Sequence, residues 1–81
     1  MGDRKLPAID KAETGANIKR LMRKAKIDAY ELASILGLRS TTNVYAWTQG
    51  RVVPNADSLI KLSSIFGCSV DDILIKEIED E

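Results

Sequence analysis

The chain has 81 residues, room for one small domain with a modest core. Few aromatics and two prolines favour helices over a sandwich or barrel, and a lone cysteine, Cys68, excludes an internal disulfide and any multi-cysteine zinc site. The formal charge of zero hides an asymmetry: residues 1–70 carry eleven basic and six acidic side chains, whereas 71–81 carry one base, Lys76, against six acids.

Residues 1–11 show no periodicity, and Pro7 interrupts any early helix, so a flexible N-terminal arm is expected there. Thr14 is the expected N-cap of a first helix over about 15–25, where Ile18, Leu21, Met22 and Ala25 form one apolar stripe. Lys19, Arg20, Arg23, Lys24 and Lys26 cover much of its remaining surface. Two readings stand for them: a solvated face, or a field that attracts phosphates. Asp28 and Glu31 have capping-box spacing, so a second helix should begin near residue 29. Leu32, Ala33, Ile35 and Leu36 should supply its buried face, and Gly37 should end it in the left-handed conformation with Leu38 folding back.

A third helix is expected over Thr41 to Thr48, capped by Ser40 and stopped by Gly50. Val44 and Trp47 are its inward pair; Thr41, Thr42, Asn43, Tyr45, Ala46 and Gln49 are left outward or on the flank. Asn55 should cap a fourth helix over about 56–66, with Leu59, Ile60, Leu62, Ser63 and Phe66 as its stripe and Gly67 as its end. Cys68 reads as a small hydrophobe, since no histidine or charged neighbour activates it. Asp71 and Asp72 suit the start of a C-terminal helix that continues through Ile73, Leu74 and Ile78, with Ile75 off that face. The expected division is an arm at 1–11, a helical domain at 12–76 and an acidic tail at 77–81.

Two short helices joined by a tight turn, the second carrying small hydrogen-bonding residues outward, describe a helix-turn-helix. The ordered landmarks are Gly15 with Ile18 and Leu21, then Glu31-Leu32-Ala33, Gly37-Leu38, Val44 with Trp47, Gly50-Arg51, Pro54, Leu59, Lys61-Leu62, Phe66-Gly67, Ser69-Val70 and Asp72-Ile73-Leu74. Over about residues 14–75 this set resembles the lambda-repressor/Cro-type helix-turn-helix domains, the XRE family. The resemblance implies an all-α fold, a compact five-helix lambda-repressor-like DNA-binding domain. Two departures stand out. Ala29 replaces the glutamine the family often uses at the start of helix 2, with Tyr30 following, and the turn into helix 3 is one residue longer than the commonest pattern.

The resemblance implies a transcriptional regulator, a repressor, that binds double-stranded DNA by inserting helix 3 into a major groove. The candidate DNA-binding set is Tyr30, Arg39, Ser40, Thr41, Thr42, Asn43, Tyr45, Ala46, Gln49 and Arg51. Asn43 can pair with an adenine edge, Thr41 and Thr42 can bond a base or phosphate or press a methyl against thymine, and Arg39, Arg51 and Gln49 can meet phosphates. Structural alternatives stay open: Tyr45 covering the core edge, Asn43 capping locally, the threonines satisfying helix-start donors. A homodimer through the C-terminal helix, using Ile75 or Ile78, is the expected assembly. The competing function is a protein-interaction or antitoxin-like module of the same fold.

An enzyme is not expected. There is no histidine, the carboxylates sit in capping and tail positions, and no glycine-rich phosphate loop appears. No cofactor, metal or small-molecule ligand is expected either. Without a signal-peptide pattern or an apolar run near the roughly 18 residues of a membrane span, a cytoplasmic location is expected and no membrane partner.

Overall fold

Asp10, not Thr14, starts the first helix. In the computed structural model, which describes residues 6–77, α1 runs Lys11–Ala25. Asp10 has extended backbone, and its carboxylate accepts the Glu13 N–H at 3.0 Å, so it satisfies an otherwise free helix-start donor. Thr14 lies a turn inside the helix and is buried. Its hydroxyl accepts the Ile75 N–H at 2.9 Å, a bond between residues 61 apart in the chain.

The remaining helices are α2 (Ala29–Leu36), α3 (Thr42–Thr48), α4 (Ala56–Phe66) and α5 (Val70–Ile73). The Asp28/Glu31 capping box forms as expected, with Asp28 accepting the Glu31 N–H at 2.8 Å and Glu31 the Asp28 N–H at 3.1 Å. Asn55 caps α4 by accepting the Ser58 N–H at 2.8 Å. Gly37 and Gly67 close α2 and α4 in left-handed conformations, φ 76° and 70°. The Leu38 N–H returns to the Ala33 carbonyl and the Cys68 N–H to the Ser63 carbonyl.

The same closure ends α1, with the Ile27 N–H on the Met22 carbonyl, yet the left-handed residue there is Lys26, φ 60°. A side chain in this conformation costs about 1–2 kcal/mol, part of which glycine gives back through its larger unfolded-state entropy. Lys26→Gly is therefore expected to raise the melting temperature by a few degrees, about 1 kcal/mol in a domain of this size. A thermal melt that shows a fall instead would mean that the Lys26 side chain makes a compensating contact.

Each helix contributes one fully buried residue to a common centre: Ile18, Leu32, Val44, Leu62 and Ile73. Met22, Ala29, Ala33, Trp47 and Leu59 complete the core. Each large apolar side chain buried this way contributes roughly 1.5–3 kcal/mol before chain entropy is counted. Three residues expected inside are not. Ile35 is 58% exposed, Ile60 is 63% exposed, and Ala25 is also exposed. Ala25 is the last residue of α1, and α2 and α4 are covered on one side only, so their apolar arc is narrow. On α2 it is taken by Ala29, Leu32 and Ala33, and Ile35 is rotated out of it by the turn of about 100° per residue.

The C-terminal helix is also shorter than expected. The Ser69/Asp72 capping box starts it, and it stops at Ile73, with Leu74 extended. Asn17, buried on α1, is the reason. Its side-chain amide donates to the carbonyls of Asp72 at 2.8 Å and Ile73 at 3.0 Å, satisfying the helix end. Arg20 in turn donates to the Asn17 side-chain oxygen. The chain then runs antiparallel to the residues before α1. The Asp10 N–H donates to Ile75 and the Glu77 N–H to Ala8, both at 2.8 Å, around an isolated bridge of Ile9 with Lys76. Ile75 thus lies in an extended segment and not on a helix. Residues 8–10 of the expected arm are paired, and residue 11 already belongs to α1. Ile78, the rest of the acidic tail and residues 1–5 lie outside the described residues.

Cys68 is half-buried. Burial pushes its thiol up, Asp72 adds to the rise and Lys24 opposes it, so the fold brings two charged side chains near a cysteine whose sequence neighbours suggested none. Among the described residues, no helix is long and apolar enough to cross a membrane, and no cluster of metal-ligating side chains occurs.

Candidate nucleic-acid interface

The position of α3 follows from how closely its back meets α1. Val44 is fully buried and Trp47 nearly so. A Cβ added to Gly15 would collide with the Trp47 carbonyl oxygen and lie 3.0 Å from that of Thr48, so glycine permits backbone-to-backbone contact. Gly50, φ 76°, is held as tightly on the other side: a Cβ there would sit 2.9 Å from the Ala12 Cα. The Arg51 N–H returns to the Ala46 carbonyl at 3.0 Å and closes the helix. The C-terminal end of α3 is therefore clamped to the start of α1.

The start of α3 is one residue later than expected. Thr41 occupies the cap position without a side-chain cap bond. Ser40 accepts the Thr42 N–H from outside, at 3.3 Å, and its hydroxyl donates to that of Thr42 at 3.1 Å. Thr41 thus stands between Ser40 and the first helical residue.

Of the candidate residues, Tyr30, Arg39, Ser40, Thr42, Asn43, Tyr45, Gln49 and Arg51 are exposed, and Thr41 and Ala46 are half-buried. Tyr30 is the most open aromatic, 76% exposed, against 46% for Tyr45. Tyr30, Ser34, Arg39, Ser40 and Thr41 line one shallow concavity of about 270 Å³, so the outer face of α2 and the turn form a continuous surface. On α3, a rotation of about 100° per residue places Thr42, Tyr45, Ala46 and Gln49 opposite the Val44–Trp47 direction. Asn43 is exposed but lies on the flank, nearer the side that Trp47 faces. The Thr48 hydroxyl donates to the Tyr45 carbonyl at 3.2 Å and is thus occupied locally.

Arg39 and Arg51 stand at the two ends of α3, and no carboxylate occurs between them. Lys19, Arg23 and Lys26 flank a second concavity at the α1–α2 corner, together with Asp28 and Glu31, whose carboxylates hold the capping box. Ala29, in the place of the family's glutamine, is 8% exposed and belongs to the core, so it cannot reach a ligand. Sequence reasoning missed Thr14 and Asn17 as the residues that dock the C-terminal segment. The available signal was their spacing: both interrupt the stripe of Ile18 and Leu21 with polar side chains at buried positions.

Two short helices joined by a turn, the second presenting an uncharged polar ridge between two arginines, are the arrangement expected of a helix that enters a nucleic-acid groove. No curated protein matches the chain in a sequence comparison. A family model does, that of the Cro/C1-type helix-turn-helix DNA-binding domain, over residues 17–77; this is about three quarters of the chain, and the protein belongs to that family.

Proposed function

We propose that the protein is a sequence-specific transcriptional regulator, acting as a repressor, that lays α3 in the major groove of double-stranded DNA. The observation that carries the reading is the exposed ridge of α3 between Arg39 and Arg51, on a domain of a DNA-binding family. The arginines grip phosphates and set orientation, and so do Lys19, Arg23 and Lys26 at the adjoining corner. Tyr30, Ser40 and Thr41 line the approach of the backbone to α2, Thr42, Tyr45 and Ala46 face the bases, Asn43 pairs with an adenine edge, and Gln49 meets a phosphate. A good bidentate pair contributes about 1–3 kcal/mol of discrimination, so one domain reads too little to choose a site. A homodimer on a two-fold operator, with half-sites about one DNA turn apart, supplies the remainder. Of the residues expected to form its contact, Ile75 follows α5 in an extended segment and Ile78 lies outside the described residues.

Titration of selected duplex against salt tests the reading. Affinity should fall steeply, with a log–log slope steeper than about −3, because each phosphate contact releases about one counterion. Asn43→Ala should weaken the preferred operator by about 1–3 kcal/mol and leave random duplex nearly unchanged. Equal loss on both would demote Asn43 to a backbone contact. Salt-insensitive capture of a protein, with no duplex binding, would favour the interaction-module reading, to which the balanced net charge lends some support.

A further inference from the structure

The chemistry of the α3 ridge narrows which base pairs it can read. Between residues 40 and 50 there is no lysine, arginine, aspartate or glutamate. Guanine presents two acceptors in the major groove and is matched best by an arginine or lysine; cytosine presents a donor and is matched by a carboxylate. The ridge offers neither. It offers the ring and hydroxyl of Tyr45, the half-buried methyl of Ala46, the carboxamide of Gln49 at its far end, and the methyl of Thr42, whose hydroxyl accepts from Ser40 at 3.1 Å. The complementary group on DNA is the 5-methyl of thymine, and the Asn43 carboxamide on the flank complements adenine. Arg39 and Arg51 stand beyond the two ends of the ridge, where the proposed function puts them on phosphates.

From this we infer that the base pairs under α3 are A·T, recognised through the thymine 5-methyl by Thr42, Tyr45 and Ala46. The inference rests on the major-groove reading above and adds the base identity and the contacted group.

The test uses the full chain and an operator selected from random duplex. Each thymine is replaced in turn by deoxyuridine, which removes only the methyl. At one or more thymines per half-site, affinity should fall about fourfold, the equivalent of the roughly 0.8 kcal/mol of one buried carbon. Ala46→Gly should reduce that drop to under about twofold at its thymine; the ratio of thymine to deoxyuridine is taken within each variant, so a loss of helix stability cancels. A selected core of G·C pairs, or uniform indifference to deoxyuridine, would overturn the inference while leaving the DNA-binding reading in place. Failure to select any duplex would overturn both.

Discussion

Trp47→Ala should lower the melting temperature by more than about 12 °C. The side chain is 5% exposed and packs with Val44 into the centre where all five helices meet. Truncating a buried tryptophan costs about 3–5 kcal/mol, the sum of lost transfer energy and the cavity left behind. Each kcal/mol shifts the melting point of a domain this size by roughly 4–8 °C. A domain of this length has only about 4–12 kcal/mol in total, so the variant should stand near the edge of folding at 37 °C. Circular dichroism melts at fixed concentration measure it. A shift below about 4 °C would mean that the pocket collapses around the alanine and that α3 is anchored elsewhere.

Gly15→Ala should also destabilise, against the ordinary helix rule. In an exposed helix interior this change gains about 1 kcal/mol, because alanine loses less backbone entropy on folding. Here the new methyl meets the carbonyl oxygens of Trp47 and Thr48, which are backbone atoms and cannot swing aside as a side chain would. The helices must move apart, and overpacking of this kind costs about 1–3 kcal/mol. The net should be a loss, and the variant should bind operator less well even where it is fully folded, since the same contact sets the tilt of α3. The exposed neighbour Ala16 supplies the control: Ala16→Gly should destabilise by about 1 kcal/mol through propensity alone and leave operator affinity intact. A higher melting temperature for Gly15→Ala would refute the tight α1–α3 contact.

These two residues also mark how far local reasoning reaches. Val44 and Trp47 are recognisable as the inward pair of α3 from their spacing, and the outward exposure of Thr42, Asn43, Tyr45 and Gln49 follows from the same period. The direct consequence of Gly15 is not visible that way. Glycine within a helix reads as a weak position until the strand of backbone that approaches it is known, and that backbone lies more than 30 residues away. Ala29 is a similar case. Its place in the sequence marks a departure from the family pattern, and only the fold shows that it is buried in the core.

The termini of the elements divide along the same line. Asp28 with Glu31, Asn55, Gly37 and Gly67 act on groups within five residues of themselves, so the sequence alone determined where α2 and α4 begin and end. The order of the five helices and most of the core came with them. Thr14 and Asn17 act on carbonyls and N–H groups 55 to 61 residues distant. Read locally, Thr14 looks like a cap, and Ile73 to Ile78 look like one helix. Only the folded chain brings α1 against the C-terminal segment, where Asn17 satisfies the last carbonyls of α5 and Thr14 receives the Ile75 N–H. The start of α1 is local, since Asp10 caps Glu13 three residues on. Tertiary structure decided the end of α5 and the placement of α3, because Asn17 and Gly15 act on backbone supplied by a distant part of the chain.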